Sequence, residues 1–229
     1  MSGTAVRAST LIRTLIVDDH AVVRSGYARY LEEAGGFQIV GEAATAADAY
    51  AMYRRLTPDI VIMDVMLPGA SGIDASRRIL EMDPAARILI FSMYSQPVLM
   101  RQALDVGVLG ALTKDSAPEV LCEAAMTVAR GQKYLGGALA RLMIFSQHTP
   151  ARHLFEQLPP REFEICRLLL NGSTIDEIAQ ALNLSSKTVA NRLSMLRQRL
   201  NVSSDIQLVK LAASAGLVPW IKQPGNVQI

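Results

Sequence analysis

The chain has 229 residues, half of them hydrophobic and 19% charged, which suits two modest globular domains and excludes a largely disordered protein. Its apolar stretches fall well short of the ~20 residues needed to cross a bilayer, and residues 1–10 lack a signal-like apolar core, so a soluble cytoplasmic protein without a membrane partner is expected. The net charge of +2 is unevenly spread: residues 1–150 carry 14 Lys/Arg against 15 Asp/Glu, and residues 151–229 carry 9 against 6.

In chain order, Leu15-Ile16-Val17 reads as a strand running into Asp18-Asp19. A helix over 21–34 follows, stopped by Gly35-Gly36, then a strand over 37–40. Thr45-Ala46-Ala47-Asp48 has the form of a capping box, opening a helix that Thr57-Pro58 closes. Ile60-Val61-Ile62-Met63 runs into Asp64, and the turn Leu67-Pro68-Gly69 leads to a helix ending near Met82. Ile88-Leu89-Ile90-Phe91 runs into Ser92, followed by a helix over 96–106. Val108 to Leu112 runs through Thr113 into Lys114, and Ser116-Ala117-Pro118-Glu119 is expected to cap a helix reaching Arg130, with Gly131 as its stop. Five apolar strands alternating with five helices predict an α/β doubly wound, flavodoxin-like domain with a five-stranded parallel sheet.

Residues 132–154 look like a linker with a short helix over 138–145, and His148-Thr149-Pro150 reads as connector. Helical signals fill the rest. A helix over 161–170 stops at Asn171-Gly172, and Thr174-Ile175-Asp176-Glu177 is a capping box for the next, which reaches Leu182. After the turn Asn183-Leu184-Ser185 comes a helix from Ser186 to Leu200. Ser204-Asp205-Ile206-Gln207 caps a last one that stops at Gly216, with 219–229 as a tail. Two helices on a three-residue turn predict a small all-α helix-turn-helix domain. Cys122 and Cys166 sit in helical apolar patterns and are expected to be free, buried thiols.

The strand ends carry the chemistry. In a parallel sheet the carboxyl ends lie along one edge, where ligands bind, so Asp18, Asp19, Asp64, Ser92 and Lys114 should meet there. Alone, each is an ordinary cap or surface group; together they match phosphoryl transfer. Clustered carboxylates suit a hard cation such as Mg²⁺, and one carboxylate is left as a nucleophile that forms an aspartyl phosphate. Lys114 would neutralise charge on the phosphoryl oxygens, with the Ser92 hydroxyl bonding them. His20 reads as a helix-start residue, since Mg²⁺ prefers oxygen.

At Val17-Asp18-Asp19-His20, Met63-Asp64-Val65-Met66-Leu67-Pro68-Gly69, Ser92 and Thr113-Lys114-Asp115 the chain resembles the receiver domain of two-component response regulators, over about residues 11–131. The resemblance implies that a partner sensor histidine kinase phosphorylates Asp64. It also implies that Asp18, Asp19, Asp64 and the Met66 backbone carbonyl hold Mg²⁺, while Ser92 and Lys114 contact the phosphoryl group. One departure stands out: the family often has an aromatic switch three residues before the lysine, and here that residue is Ala111. Activation is therefore expected to run through Ser92 and the segment after it, including Tyr94.

Within Ser186 to Leu200, Val189, Leu193, Leu196 and Leu200 fall on one face at spacings 4, 3 and 4. Lys187, Asn191, Ser194 and Gln198 lie opposite, flanked by Ala190 and Arg197, with Arg192 and Arg199 on the other flank. A basic, amide-bearing helix face fits the major groove of B-DNA. Leu158-Pro159-Pro160-Arg161-Glu162, Glu177-Ile178-Ala179 and Leu184-Ser185-Ser186-Lys187-Thr188-Val189 resemble the LuxR-type DNA-binding domain, over 155–218. Many of its members have Lys at the position of Ala190 and His at Arg192, so the DNA sequence read should differ. The two halves together resemble NarL/FixJ response regulators, and Val202-Ser203-Ser204-Asp205 and Gly131-Gln132-Lys133-Tyr134 are similar to the GacA/UvrY branch. The resemblance implies a phosphorylation-switched transcription factor, not an enzyme, binding promoter DNA as a homodimer through Lys187, Thr188, Ala190, Asn191, Arg192, Ser194 and Arg197. Two alternatives are a haloacid-dehalogenase-like phosphatase, for which Met66 stands where a second Asp is required, and a phosphorylation-independent regulator with a vestigial receiver.

Overall fold

The computed structural model describes residues 11–93, 96–145 and 150–217, which fall into two compact units. The first comprises 11–93 and 103–140; the second comprises 96–102 and the described residues from 141 onward. Residues 1–10, Tyr94, His148-Thr149 of the expected connector and the tail 219–229 lie outside the described residues.

The first unit is built on five parallel strands: β1 (Ile12–Val17), β2 (Phe37–Ala43), β3 (Ile60–Met63), β4 (Ile88–Ser92) and β5 (Gly110–Thr113). Every residue of β3, β4 and β5 is buried, which is why they read as unbroken apolar runs without alternation. A sixth strand, β6 (Tyr134–Leu135), joins β5 and completes the order β2-β1-β3-β4-β5-β6. The sequence predicts only five. Two residues leave no periodicity to detect, and β6 exists because the Tyr134 and Gly136 N–H groups donate to the carbonyls of Leu109 and Ala111.

Helices α1 (Ala21–Ala34), α2 (Ala46–Leu56), α3 (Gly72–Met82), α4 (Pro97–Val106) and α5 (Pro118–Ala129) follow the first five strands in turn. One sheet face buries Ile16, Ile62, Leu89, Phe91 and Leu112 against Ala28 and Leu31 of α1 and Leu121, Ala125 and Val128 of α5. Each large aliphatic side chain buried this way is worth ~1.5–3 kcal/mol. On the other face the bare Cα of Gly41 leaves room for Leu15 of β1 and for Leu56 and Met52 of α2, since a Cβ there would lie 2.8 Å from Leu56 Cδ1 and 3.2 Å from Leu15 Cδ1.

Caps fix where helices begin. Thr45 and Ser71 accept the backbone N–H groups of Asp48 and Asp74. At α5 the expected Ser116 cap is not formed. Pro118 takes the first helical position, which leaves Ala117 as a cap residue without a side-chain bond, and the Ser116 hydroxyl pairs with Thr113 instead.

Next come α6 (Gly137–Phe145) and α7 (Pro150–Glu156), the latter starting where connector was expected. The second unit continues with α8 (Pro160–Leu170), α9 (Ile175–Ala181), α10 (Ser186–Arg199) and α11 (Asp205–Ser214). Thr174 and Glu177 complete a reciprocal capping box, while Ser185 and Ser204 accept the N–H groups of Thr188 and Gln207. Between α9 and α10, Asn183 adopts φ +51°, a left-handed conformation that Asn tolerates. Val189, Leu193, Leu196 and Leu200 are all buried, and Cys122 and Cys166 are free, buried thiols. Burial pushes the Cys166 thiol up to about 12, so it stays protonated and inert at neutral pH. Among the described residues no helix is long and apolar enough to cross a membrane.

Candidate phosphoryl-acceptor site and nucleic-acid interface

The ladder continues past the strand ends and draws the polar residues together. Asp18 N–H donates to the Ala43 carbonyl at 3.0 Å, Asp64 N–H to Val17 at 2.9 Å, and Lys114 N–H to Ser92 at 2.9 Å. Their side chains then converge. Lys114 Nζ lies 2.5 Å from Asp18 Oδ2 and 2.7 Å from Asp64 Oδ2, all three side chains being almost wholly buried. The Ser92 hydroxyl, also buried, hydrogen-bonds Asp64.

Burial raises the Asp64 carboxyl above the usual carboxylate range; Lys114 and Ser92 pull it back only in part, and the Asp18 charge adds to the rise. Burial lowers Lys114, but the charges and hydrogen bonds of Asp64 and Asp18 raise it further, so the ammonium is retained. Two carboxylates thus share one ammonium. A residual negative charge with oxygen donors is what a hard divalent cation relieves, so the donor set fits Mg²⁺.

Asp19 is exposed, and its Oδ1 lies 2.8 Å from His20 Nδ1. His20 stands at the N-cap of α1, where its N–H donates to Asp18 Oδ1 at 2.9 Å. Ligand atoms of Asp18, Asp19 and His20 all lie within 4.8 Å of one another. Asp64 joins this group through Lys114. Met66 follows Asp64 on the loop, with its N–H 3.4 Å from Asp64 Oδ1. Ala111 is fully buried in β5, and Tyr94 lies outside the described residues. An aromatic contact occurs elsewhere: Tyr27 of α1 meets Phe91, the residue before Ser92, edge-to-face with ring centroids 4.7 Å apart.

Sequence reasoning missed Gly72. Its N–H donates to the Val65 carbonyl at 2.7 Å, and a Cβ there would sit 1.7 Å from the Asp64 carbonyl oxygen. The acceptor loop can fold back over its own backbone only at a residue without a side chain. A glycine at a helix start, where Ser71 already explains the cap, gives no hint of this.

In the helix-turn-helix, Lys187, Ala190, Asn191 and Ser194 are exposed, while Thr188, Arg192 and Arg197 are partly buried. Thr188 is tied to Ser185 by its N–H and by its hydroxyl. Ser186 Oγ donates to Asp176 Oδ1 at 2.5 Å, fixing the start of α10 to α9. Arg197 donates through Nε and Nη2 to Asp205 Oδ1, at 3.1 and 2.7 Å. That pairing joins residues eight apart across a loop, beyond the reach of helical spacing.

Residues 14–126 match the family model of the response regulator receiver domain, and residues 156–212 match that of bacterial regulatory proteins, luxR family. The chain is 34% identical over 209 residues to the response regulator UvrY of Escherichia coli (strain K12), covering 90% of this chain and 96% of that protein. It is 39% identical over 207 residues to the transcriptional activator protein ExaE of Pseudomonas putida, covering 89% and 97%. Among solved structures, RcsB from Salmonella enterica serovar Typhimurium, bound to a promoter in the presence of the phosphomimetic BeF3⁻, aligns with a TM-score of 0.59 at 26% identity, covering 90% of this chain and 100% of that one.

Proposed function

The chain belongs to the response regulators that join a receiver domain to a LuxR-type DNA-binding domain, and from that premise we propose that it is a cytoplasmic transcription factor switched by phosphorylation of Asp64 by a sensor histidine kinase. The observation that carries this reading is the buried Lys114 ammonium bridging Asp18 and Asp64 at 2.5 and 2.7 Å. Residues 11–131 are taken as the receiver and 155–218 as the DNA-binding domain, joined by 132–154.

In the transfer step an Asp64 carboxylate oxygen attacks phosphorus. The P–N bond of the phosphohistidine breaks, and its electron pair leaves with the imidazole, giving an acyl phosphate on Asp64. Lys114 must release part of its hold on Asp64 and follow the new oxygens. The Ser92 hydroxyl, already bonded to Asp64, is in reach of the same group. Asp18, Asp19, Asp64 and the Met66 carbonyl would hold Mg²⁺, which when bound supplies charge neutralisation for the phosphoryl oxygens. The added charge of roughly −1.5 to −2 then rearranges the groups around Ser92 and Lys114. A homodimer on promoter DNA would place α10 of each copy in the major groove, with half-sites about one helical turn apart.

Acetyl phosphate with Mg²⁺ should label the chain with acid-stable, base-labile phosphate, and Asp64→Asn should abolish it. Undiminished labelling of the variant would rule out Asp64 as the acceptor.

A further inference from the structure

The loop carrying Asp18 and Asp19 is held from outside by a residue that no part of the phosphoryl-transfer reading uses. Arg24, one turn into α1, donates through Nη1 to the Asp18 backbone carbonyl at 2.6 Å and through Nε to Glu42 Oε2 on β2 at 3.0 Å. Its own N–H donates to the His20 carbonyl at 2.9 Å, and the Asp18 N–H donates to Ala43, the neighbour of Glu42, at 3.0 Å. The guanidinium is largely buried, its side chain 16% exposed. A planar fork of donors can serve a carbonyl and a carboxylate at once; a lysine ammonium on a flexible stem does this less well.

Charge adds a second constraint. A full positive charge at the backbone of a cation-binding loop repels the cation, so an arginine there is tolerable only if it is neutralised. Glu42 supplies that neutralisation. We propose that Arg24 and Glu42 form a charge-neutral clamp that positions the Asp18–Asp19 loop and thereby sets its affinity for a divalent cation. Arg24 is a positioning residue, since it acts through the Asp18 backbone, and Glu42 keeps its charge silent.

The clamp rests on the reading of Asp18 and Asp19 as cation ligands, and Mg²⁺ binding to the unphosphorylated full chain tests both. Mg²⁺ is titrated into the unmutated chain, Glu42→Gln, Arg24→Gln and the Arg24→Gln/Glu42→Gln double variant, by NMR at a temperature where thermal melts show each to be folded. Glu42→Gln leaves the arginine charge uncompensated and should weaken Mg²⁺ binding about fivefold, less at high salt. Arg24→Gln loses the fork and should speed amide exchange at His20 in the Mg²⁺-free protein. The double variant removes both charges and keeps an amide donor, so it should bind Mg²⁺ more tightly than Glu42→Gln does. A pair serving stability alone would not show that recovery. Mg²⁺ affinity indifferent to Glu42→Gln, or a double variant no better than Glu42→Gln, overturns the clamp and leaves the acceptor-site reading intact. Failure of the unmutated chain to bind Mg²⁺ overturns the ligand reading and the clamp together.

Discussion

A buried carboxylate survives only while its charge is balanced, and Asp64 has Lys114 Nζ at 2.7 Å and the Ser92 hydroxyl to do so. The balance is incomplete, because burial still leaves its carboxyl above the usual range. A folded-state value above the unfolded one means that the ionised form strains the fold. The penalty is absent at a pH below the unfolded value and complete above the folded one. Asp64→Asn should therefore raise the melting temperature at neutral pH, and the gain should vanish as the pH falls below the ordinary carboxylate range. Thermal melts across pH check this; a gain that grew toward acid would contradict it. Lys114 has the opposite sign. Its raised value contributes stability that is present below the ordinary lysine range and lost as pH rises through the folded value. Gly72 is a steric case. A Cβ placed 1.7 Å from the Asp64 carbonyl oxygen forces the backbone apart, so Gly72→Ala should cost ~3 kcal/mol or more and show as a clear fall in melting temperature. A melting temperature within one degree of the unmutated chain would show that the loop can shift without cost. The Asp and Lys positions were legible from strand ends, because each closed an apolar run. Gly72 was not, since its constraint comes from a backbone that returns to it in space.

Helix α10 was the most legible element: a cap at Ser185 and apolar spacings 4, 3 and 4 predict a buried seam, and Val189, Leu193, Leu196 and Leu200 form one. Its outer face divides into groups with different expected duties. Asn191 is exposed, and a bidentate contact to adenine is worth ~1–3 kcal/mol of discrimination. Asn191→Ala should relax preference at one position per half-site in a site library, and a uniform loss across the library would contradict it. Lys187 is exposed, so Lys187→Ala should weaken all sites similarly and lower the salt slope by about 1. From the sequence alone Arg197 has the same expected role, but it is held by Asp205. Its charge is already partly balanced, so Arg197→Ala should change the slope less than Lys187→Ala does. Equal slopes would show that DNA displaces Asp205 completely. Elements without a pattern stayed hidden. Strand β6 is two residues long, α7 is one of the shortest helices, and the bare cap at Ala117 followed from Pro118 rather than from the nearby serine.

At the scale of the whole molecule, acidic and basic chemistry sit in different halves of the chain, as the charge split already implied. Family membership sets aside the haloacid-dehalogenase-like alternative, which also left the helical half without a role. The proposed switch links the two halves: phosphate on Asp64 is expected to change the affinity of the helix-turn-helix for DNA. Coupling between two sites in one protein commonly amounts to 1–3 kcal/mol, or roughly 5–150-fold. The most direct measurement is binding of the full chain to a genomic site library, with and without acetyl phosphate and Mg²⁺, run beside Asp64→Asn. Phosphodonor should tighten specific binding at least about fivefold in the unmutated chain and leave Asp64→Asn unchanged. Equal affinities with and without phosphodonor, in a chain shown to carry phosphate on Asp64, would rule out the switch.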